Sequence, residues 1–200
     1  MMKFRDLREF IGFLEAKGEL RRISTPVSWD MEITEICDRV VKSGGPALLF
    51  ENVEGSNMPV FINMFGTEQR MAWALGVDNL DALVDRLNQV LNLMHGPPQG
   101  IMEKVSALGQ LMKMASFQPK VVKNAPCQEV VIDQTDVDLN AFPILKCWPE
   151  DAGRYITLPL VITKDPETGT QNMGTYRLQV FDGRTCGMHW QTQKVGTHHR

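Results

Sequence analysis

Three polar side chains near the C-terminus have the types and the spacing to do chemistry: Asn172, Arg177 and His189. They fall in 171–177 and 187–190, two short strand-like runs with a turn between them. A carboxamide oxygen and an imidazole nitrogen both bind divalent cations. A guanidinium forks onto a carboxylate or a phosphate. Together they suit an anionic, metal-assisted cofactor and an acidic substrate. Each residue also has a plainer reading. Asn172 can stabilise the turn it follows, Arg177 can make a surface ion pair, and a single histidine between Met188 and Trp190 more often packs than ligates. Asn172 and Arg177 are five apart, an odd number, so on a regular strand they face opposite ways unless a bulge or the small Gly174 realigns them. Two ligands do not complete a metal site. Asp182 lies in the turn, poorly placed to be the third, and no other convincing ligand precedes Arg200.

Two further runs have polar or unusual chemistry. Lys194, His198, His199 and Arg200 form either a phosphate-binding edge or a solvated polar tail, and spacing alone favours the tail. The run Cys147-Trp148-Pro149-Glu150-Asp151 reads as a structural turn with Trp148 buried. Nucleophile-elbow, phosphate-loop, zinc-protease and dinucleotide fingerprints do not occur.

The elements that must hold these residues follow from periodicity. Leu7, Phe10, Ile11 and Leu14 mark an amphipathic helix that Asp6 and Glu9 cap and Gly18 stops. Leu20–Ile23, Ala47–Phe50 and Val60–Ile62 read as strands. A helix over 31–43 turns Ile33, Ile36, Cys37, Val40 and Val41 inward. Thr67 caps a helix reaching Leu75, and Leu80 to Met94 carries a longer one. The breaker at 95–100 precedes a Met-rich helix over 102–114, and Pro119 and Pro126 bracket a linker. Beyond Pro126 the pattern becomes strands: 129–132, 156–163 with Pro159 at an edge or bulge, 175–181, and 184–190. The last two flank the hairpin signal Asp182-Gly183.

Composition sets the outer limits. At 200 residues, 43% apolar and 22% charged, the chain is long enough for a stable core and too apolar for disorder. A net charge of −3 gives no basic stripe for nucleic acid. The charged N-terminus lacks a following apolar run, so no export signal is expected. The four cysteines form no CxxC pair, and a cytoplasmic location with free thiols follows.

Taken in order, several runs make the chain resemble the N-terminal part of a UbiD-type decarboxylase. They are 32–36 with Asp38-Arg39, 44–52, Asn63 with Phe65-Gly66-Thr67, 125–128, 136–140, Pro143-Ile144, 147–151 and 171–177. The resemblance implies an α+β fold: a small α/β N-terminal region over 1–100, a helix and linker over 101–124, and over 125–200 the first strands of a flavin-binding split β-barrel, truncated. It implies prenylated FMN as cofactor and Mn²⁺ (or Mg²⁺) held by Asn172 and His189. Thr175, Tyr176 and Arg177, with His189, Trp190, Gln191, Lys194 and Val195, correspond to its cofactor-contacting stretches. Arg177 also corresponds to the arginine that faces the substrate carboxylate. The third metal ligand and the proton donor lie downstream in the family.

The activity so implied is non-oxidative decarboxylation of an aromatic or α,β-unsaturated acid, with a hydroxybenzoate of quinone biosynthesis as the default substrate. Implied partners are a flavin prenyltransferase as cofactor supplier and further copies of the chain in a homo-oligomer. Peripheral membrane association is implied if the substrate is polyprenylated. The alternative is a non-catalytic flavin-binding or assembly module.

Overall fold

In the computed structural model, residues 4–94 and 121–199 are described. They fall into two compact units: 6–66 with 133–199, and 67–94 with 4–5 and 121–132. The Met-rich helix expected over 102–114 lies outside the described residues.

The larger unit begins with α1 (Leu7–Ala16), which Asp6 caps by accepting a 2.9 Å bond from the Glu9 N–H. At its other end Gly18 takes φ 72°, and the amides of Gly18 and Glu19 return to the carbonyls of Glu15 and Leu14. That pair of bonds is the αL stop that glycine adopts without steric penalty. The chain reverses into β1 (Leu20–Ile23), crosses through α2 (Glu32–Lys42) to β2 (Ala47–Phe50), and returns in β3 (Val60–Ile62). β2 is central, parallel to β1 and antiparallel to β3. Its four residues are all buried. Val27, Ile33, Leu48, Phe50 and Val53 form the core cluster, with Ile36, Val40 and Leu145 packed against it. Val41, expected to point inward, is exposed. The inward stripe of α2 is therefore narrower than the apolar pattern suggests.

Segment 144–146 joins this sheet to the later strands. The Lys146 amide donates to the Trp29 carbonyl, the Met31 amide to the Lys146 carbonyl, and the Tyr155 amide to the Leu145 carbonyl. Five short strands follow: β4 (Arg154–Ile156), β5 (Leu160–Lys164), β6 (Gln171–Thr175), β7 (Leu178–Val180) and β8 (Cys186–Met188), then a single helical turn, α5 (Val195–His198). They make two sheets, β4-β7-β8 and β5-β6, antiparallel throughout. The fold is thus mixed α and β with small sheets, and no closed barrel occurs among the described residues.

Several expectations need correction. The single strand over 156–163 is two, broken at 157–159 where Pro159 lacks the amide that a ladder needs. The strand over 175–181 begins only at Leu178, because Tyr176 and Arg177 carry the chain from one sheet to the other. That over 184–190 shrinks to β8, since Asp182 draws the Arg184 and Thr185 amides into the turn, each at 2.8 Å. Trp148 is 58% exposed, although 147–151 does form a turn closed by the Asp151 carboxylate on the Trp148 amide.

In the smaller unit, α3 (Glu68–Ala74) is capped by the Thr67 hydroxyl, and α4 (Asp81–Met94) follows. The strand expected over 129–132 is absent there, and Val130 and Val131 are 80% and 83% exposed with no ladder partner among the described residues.

Candidate functional site

Alternation along 171–177 sorts the candidate residues onto two faces. Asn172 and Gly174 are half-buried and Tyr176 is buried, whereas Met173, Thr175 and Arg177 are exposed. The turn after β7 then brings β8 back so that the His189 amide donates to the Arg177 carbonyl at 2.9 Å. Arg177 and His189 are therefore cross-strand neighbours, one pair beyond Leu178↔Met188. Side chains directly opposite in such a ladder share a face.

That face carries a small concavity of about 210 Å³, bounded by Tyr155, Arg177, Gln179, Phe181, Gly187 and His189. Its floor is set by register, since Tyr155 on β4 and Gly187 on β8 both lie opposite Gln179. A Cβ at Gly187 would come within 2.6 Å of the Phe181 ring, so glycine is what lets that ring lie across β8. The Arg177 guanidinium sits 4.7 Å from the Tyr155 ring centroid, a cation–π contact. Arg177 has no carboxylate partner among the described residues, which leaves its fork of donors available to an anion.

The opposite face is built around Tyr176, which is 3% exposed. Its ring lies 5.5 Å from that of Trp190, and its hydroxyl accepts a 2.8 Å bond from the Gly196 amide. The Lys194 ammonium lies 5.2 Å from the ring centroid and donates to the Thr175 carbonyl at 3.2 Å. The Lys194 amide in turn bonds the Gln191 carbonyl, and Val195 opens α5. The two stretches 175–177 and 189–195 thus meet at the β6–β7 junction.

Asn172 is placed elsewhere. It lies opposite Thr163 in the β5–β6 ladder, and the Thr163 hydroxyl is 3.0 Å from Nδ1 of His199. His189 lines the concavity with Arg177, and Asn172 does not. No group of three or more His, Cys, Asp or Glu that could hold a metal occurs among the described residues. The Asp182 carboxylate is engaged by the Arg184 and Thr185 amides, which hold it below its usual range. The donor types of Asn172 and His189 suit a hard divalent cation, but these two side chains alone do not complete its coordination.

His199 was indistinguishable from a polar tail in the sequence. Its side chain is 5% exposed, packed against Thr163 with Nε2 3.9 Å from the Asp165 carboxylate. Nothing in local spacing signals that burial, because it depends on α5 folding back onto β5–β6. A second, larger apolar hollow of about 580 Å³ lies beside β3 and β4, lined among others by Phe61, Asn63, Phe65, Ile144 and Leu158. Asn63 holds its left-handed backbone, φ 60°, while its amide donates to the Gly45 and Pro46 carbonyls. No helix among the described residues is long and apolar enough to cross a membrane.

Comparison with known proteins bears on the whole of this arrangement. Residues 11–87 match the 3-octaprenyl-4-hydroxybenzoate carboxy-lyase N-terminal domain, and 120–200 match the Rift-related domain of the same carboxy-lyase. An uncharacterized protein of Archaeoglobus fulgidus is 53% identical over 198 residues, covering 99% of this chain and 40% of its own length. An evolved dimeric form of the UbiD-class enzyme HmfF from Pelotomaculum thermopropionicum, solved in complex with prFMN, superposes with a TM-score of 0.76 at 27% identity. The match covers 98% of this chain and 40% of that one. The vanillic acid decarboxylase of Sedimentibacter hydroxybenzoicus in closed form superposes with a TM-score of 0.71 at 30% identity, covering 94% and 37%. The chain spans about 40% of the length of these relatives.

Proposed function

The chain belongs to the UbiD family of carboxy-lyases, and on that footing we propose that it is the front portion of a prenylated-FMN-dependent decarboxylase acting on an aromatic or α,β-unsaturated acid. The observation that carries the reading is the Arg177–His189 cross-strand pair over an aromatic floor, with Arg177 held by Tyr155 and not by a carboxylate. A planar, permanently charged fork is suited to a substrate carboxylate. The Tyr155 ring restrains that fork, so less freedom is lost when the acid binds. A space of about 210 Å³ matches an acid group and part of its ring, and is below the 300 Å³ or so at which ligand pockets begin.

The prenylated flavin, when bound, supplies the electron sink for loss of CO₂. Thr175, Tyr176 and Arg177, with His189, Trp190, Gln191, Lys194 and Val195, would hold it. In that arrangement Arg177 and Lys194 provide positive charge, and the β6–β7 junction provides the scaffold. Asn172 and His189 would contribute to a Mn²⁺ or Mg²⁺ site completed by residues beyond the described ones. Strands β4 to β8 would be the opening strands of a split β-barrel. The proposed substrate is a hydroxybenzoate of quinone biosynthesis, supported by the 3-octaprenyl-4-hydroxybenzoate named in the family description, with a flavin prenyltransferase supplying the cofactor.

The test is a full-length enzyme made by joining this chain to the remainder of the Archaeoglobus relative, co-expressed with a flavin prenyltransferase. Arg177→Ala should cut decarboxylation by about 10²-fold or more while mass spectrometry still finds the flavin bound. Unchanged turnover would remove Arg177 from the reaction. Asn172→Ala should lower the flavin load seen in the visible spectrum, and a full load would count against its role with the metal.

A further inference from the structure

β7 and the residues on either side of it bring three side chains to the concavity. Arg177, Gln179 and Phe181 alternate with Leu178 and Val180, so they share its face. Their chemistry changes along the row, from a permanent cation to a neutral carboxamide to an aromatic ring. Arg177 is taken up by the acid group. Phe181 is 61% exposed, and its ring lies across Gly187, which gives the row an apolar end. Gln179 is half-buried on the floor, with Tyr155 opposite it on one side and Gly187 on the other. Its Nε2 stands 3.5 Å from where a Cβ on Gly153 would be. Gly153 precedes the β4 residues that face β7, so the amide leans toward the Phe181 end, away from Arg177. The carboxamide has no hydrogen-bond partner among the described residues, although it offers two donors and an acceptor. Water can meet those needs while the concavity is open. A ring seated over Gln179 excludes that water, and the amide must then pair with the ligand or stay unpaired at a cost.

We infer that Gln179 selects among the acids that Arg177 holds, by pairing with a hydroxyl on the far side of the ring from the carboxylate. Its amide is neutral and both donates and accepts. That matches a hydroxyl, whereas a second carboxylate would call for a cation and an alkyl group would leave the amide unpaired. Gln179 follows Arg177 by two residues, about 7 Å at the ordinary strand rise, which sets it across a ring from the acid group and not beside it. Phe181 and Gly187 offer the ring apolar surface and no competing polar side chain. A site built to pair with a hydroxyl discriminates against the analogue that lacks it. The inference rests on the decarboxylase reading in taking Arg177 as the carboxylate site, and adds to it the residue that sets specificity.

The experiment uses the full-length enzyme made with the remainder of the Archaeoglobus relative and loaded with prenylated flavin. Calorimetry measures the Kd of 4-hydroxybenzoate, 2-hydroxybenzoate and benzoate. Binding is the readout because removing a ring hydroxyl also changes how readily CO₂ leaves. The parent enzyme should bind 4-hydroxybenzoate about 10-fold more tightly than benzoate. Gln179→Leu should erase that preference by weakening 4-hydroxybenzoate about 10-fold, with benzoate and 2-hydroxybenzoate little changed. Gln179→Glu keeps the length of the side chain and an acceptor for the hydroxyl. It should retain the preference for 4-hydroxybenzoate over benzoate, while its charge weakens all three acids. A merely structural role for Gln179 would not restore that ratio. A preference that survives Gln179→Leu would overturn the inference. So would a parent enzyme indifferent to the hydroxyl, or a Gln179→Glu enzyme that no longer distinguishes the 4-hydroxy acid. Failure of the underlying acid reading looks different: Arg177→Ala would then bind all three acids as tightly as the parent, and the inference would fall with it.

Discussion

β2 and β5 are written in nearly the same alphabet and meet opposite fates. Ala47-Leu48-Leu49-Phe50 is buried residue by residue, while in Leu160-Val161-Ile162 the first and third side chains are exposed. The difference lies in neighbours. β2 has a strand on each side and packs on α2 through Ile33, whereas among the described residues β5 pairs with β6 alone. Apolar composition sets how much surface a strand can bury. Partners elsewhere in the chain set how much it does bury, and the stabilisation scales with the area removed from water.

The sharpest way to test that contrast is a pair of truncations. Phe50→Ala, at a fully buried site, should cost about 3–5 kcal/mol in urea unfolding, the sum of lost transfer energy and a cavity. Ile162→Ala in the same chain should fall within about 0.5 kcal/mol of the parent. Equal costs in the chain alone would break the comparison, because the β5 face would then already be covered.

The β6–β7 junction gives the next largest effects. A Cβ at Gly196 would lie 2.7 Å from Cζ of Tyr176 and 3.1 Å from Cζ3 of Trp190, so α5 must lift off the ribbon to admit it. Gly196→Ala should cost about 1–3 kcal/mol and should shift the Trp190 fluorescence. Tyr176→Phe keeps the ring but leaves the buried Gly196 amide without its 2.8 Å acceptor. Its cost should be about 1–3 kcal/mol, with faster proteolysis over 190–199. Wild-type stability in both variants would mean that α5 is not anchored through Tyr176.

What the sequence made legible was local. The Asp6 cap, the Gly18 stop, the Thr67 cap and the three N-terminal strands depend on residues within a few positions, and they occur where the periodicity places them. Several of the misreadings involve distant partners. The run 129–132 has strand composition and no strand to pair with among the described residues, and 156–163 divides because its two halves join different sheets. Trp148 had no visible reason to be exposed, and His199 none to be buried. Of the candidate site, the odd spacing of Asn172 and Arg177 already separated their faces. The meeting of Tyr176 with Gly174, Trp190 and Gly196 required the fold, because it joins two sheets and a helical turn across about 20 residues.

The smallest expected effect concerns the turn that closes the open ribbon. The Asp165 carboxylate accepts the Glu167 and Thr168 amides at 2.8 and 2.9 Å. The Thr168 and Glu167 amide bonds, in that order, are what hold its pKa below the usual 3.8, with His199 adding a weaker pull. A carboxylate depressed in the folded state contributes stability above its unfolded pKa, and loses it as pH falls through the folded value. The melting temperature should therefore decline as pH drops below about 4, where an ordinary aspartate titrates. Asp165→Asn keeps an acceptor oxygen for the two amides and removes the charge, so its curve should be flatter over that range. Asp182 closes the β7–β8 turn by the same chemistry, through the Arg184 and Thr185 amides. If Asp165→Asn flattens the acid limb as much as Asp182→Asn does, the open ribbon and the three-stranded sheet unfold as one unit. If the Asp165 variant leaves the limb unchanged while the Asp182 variant flattens it, the β5–β6 ribbon comes apart before the rest, as its exposed Leu160, Ile162 and Met173 would have it.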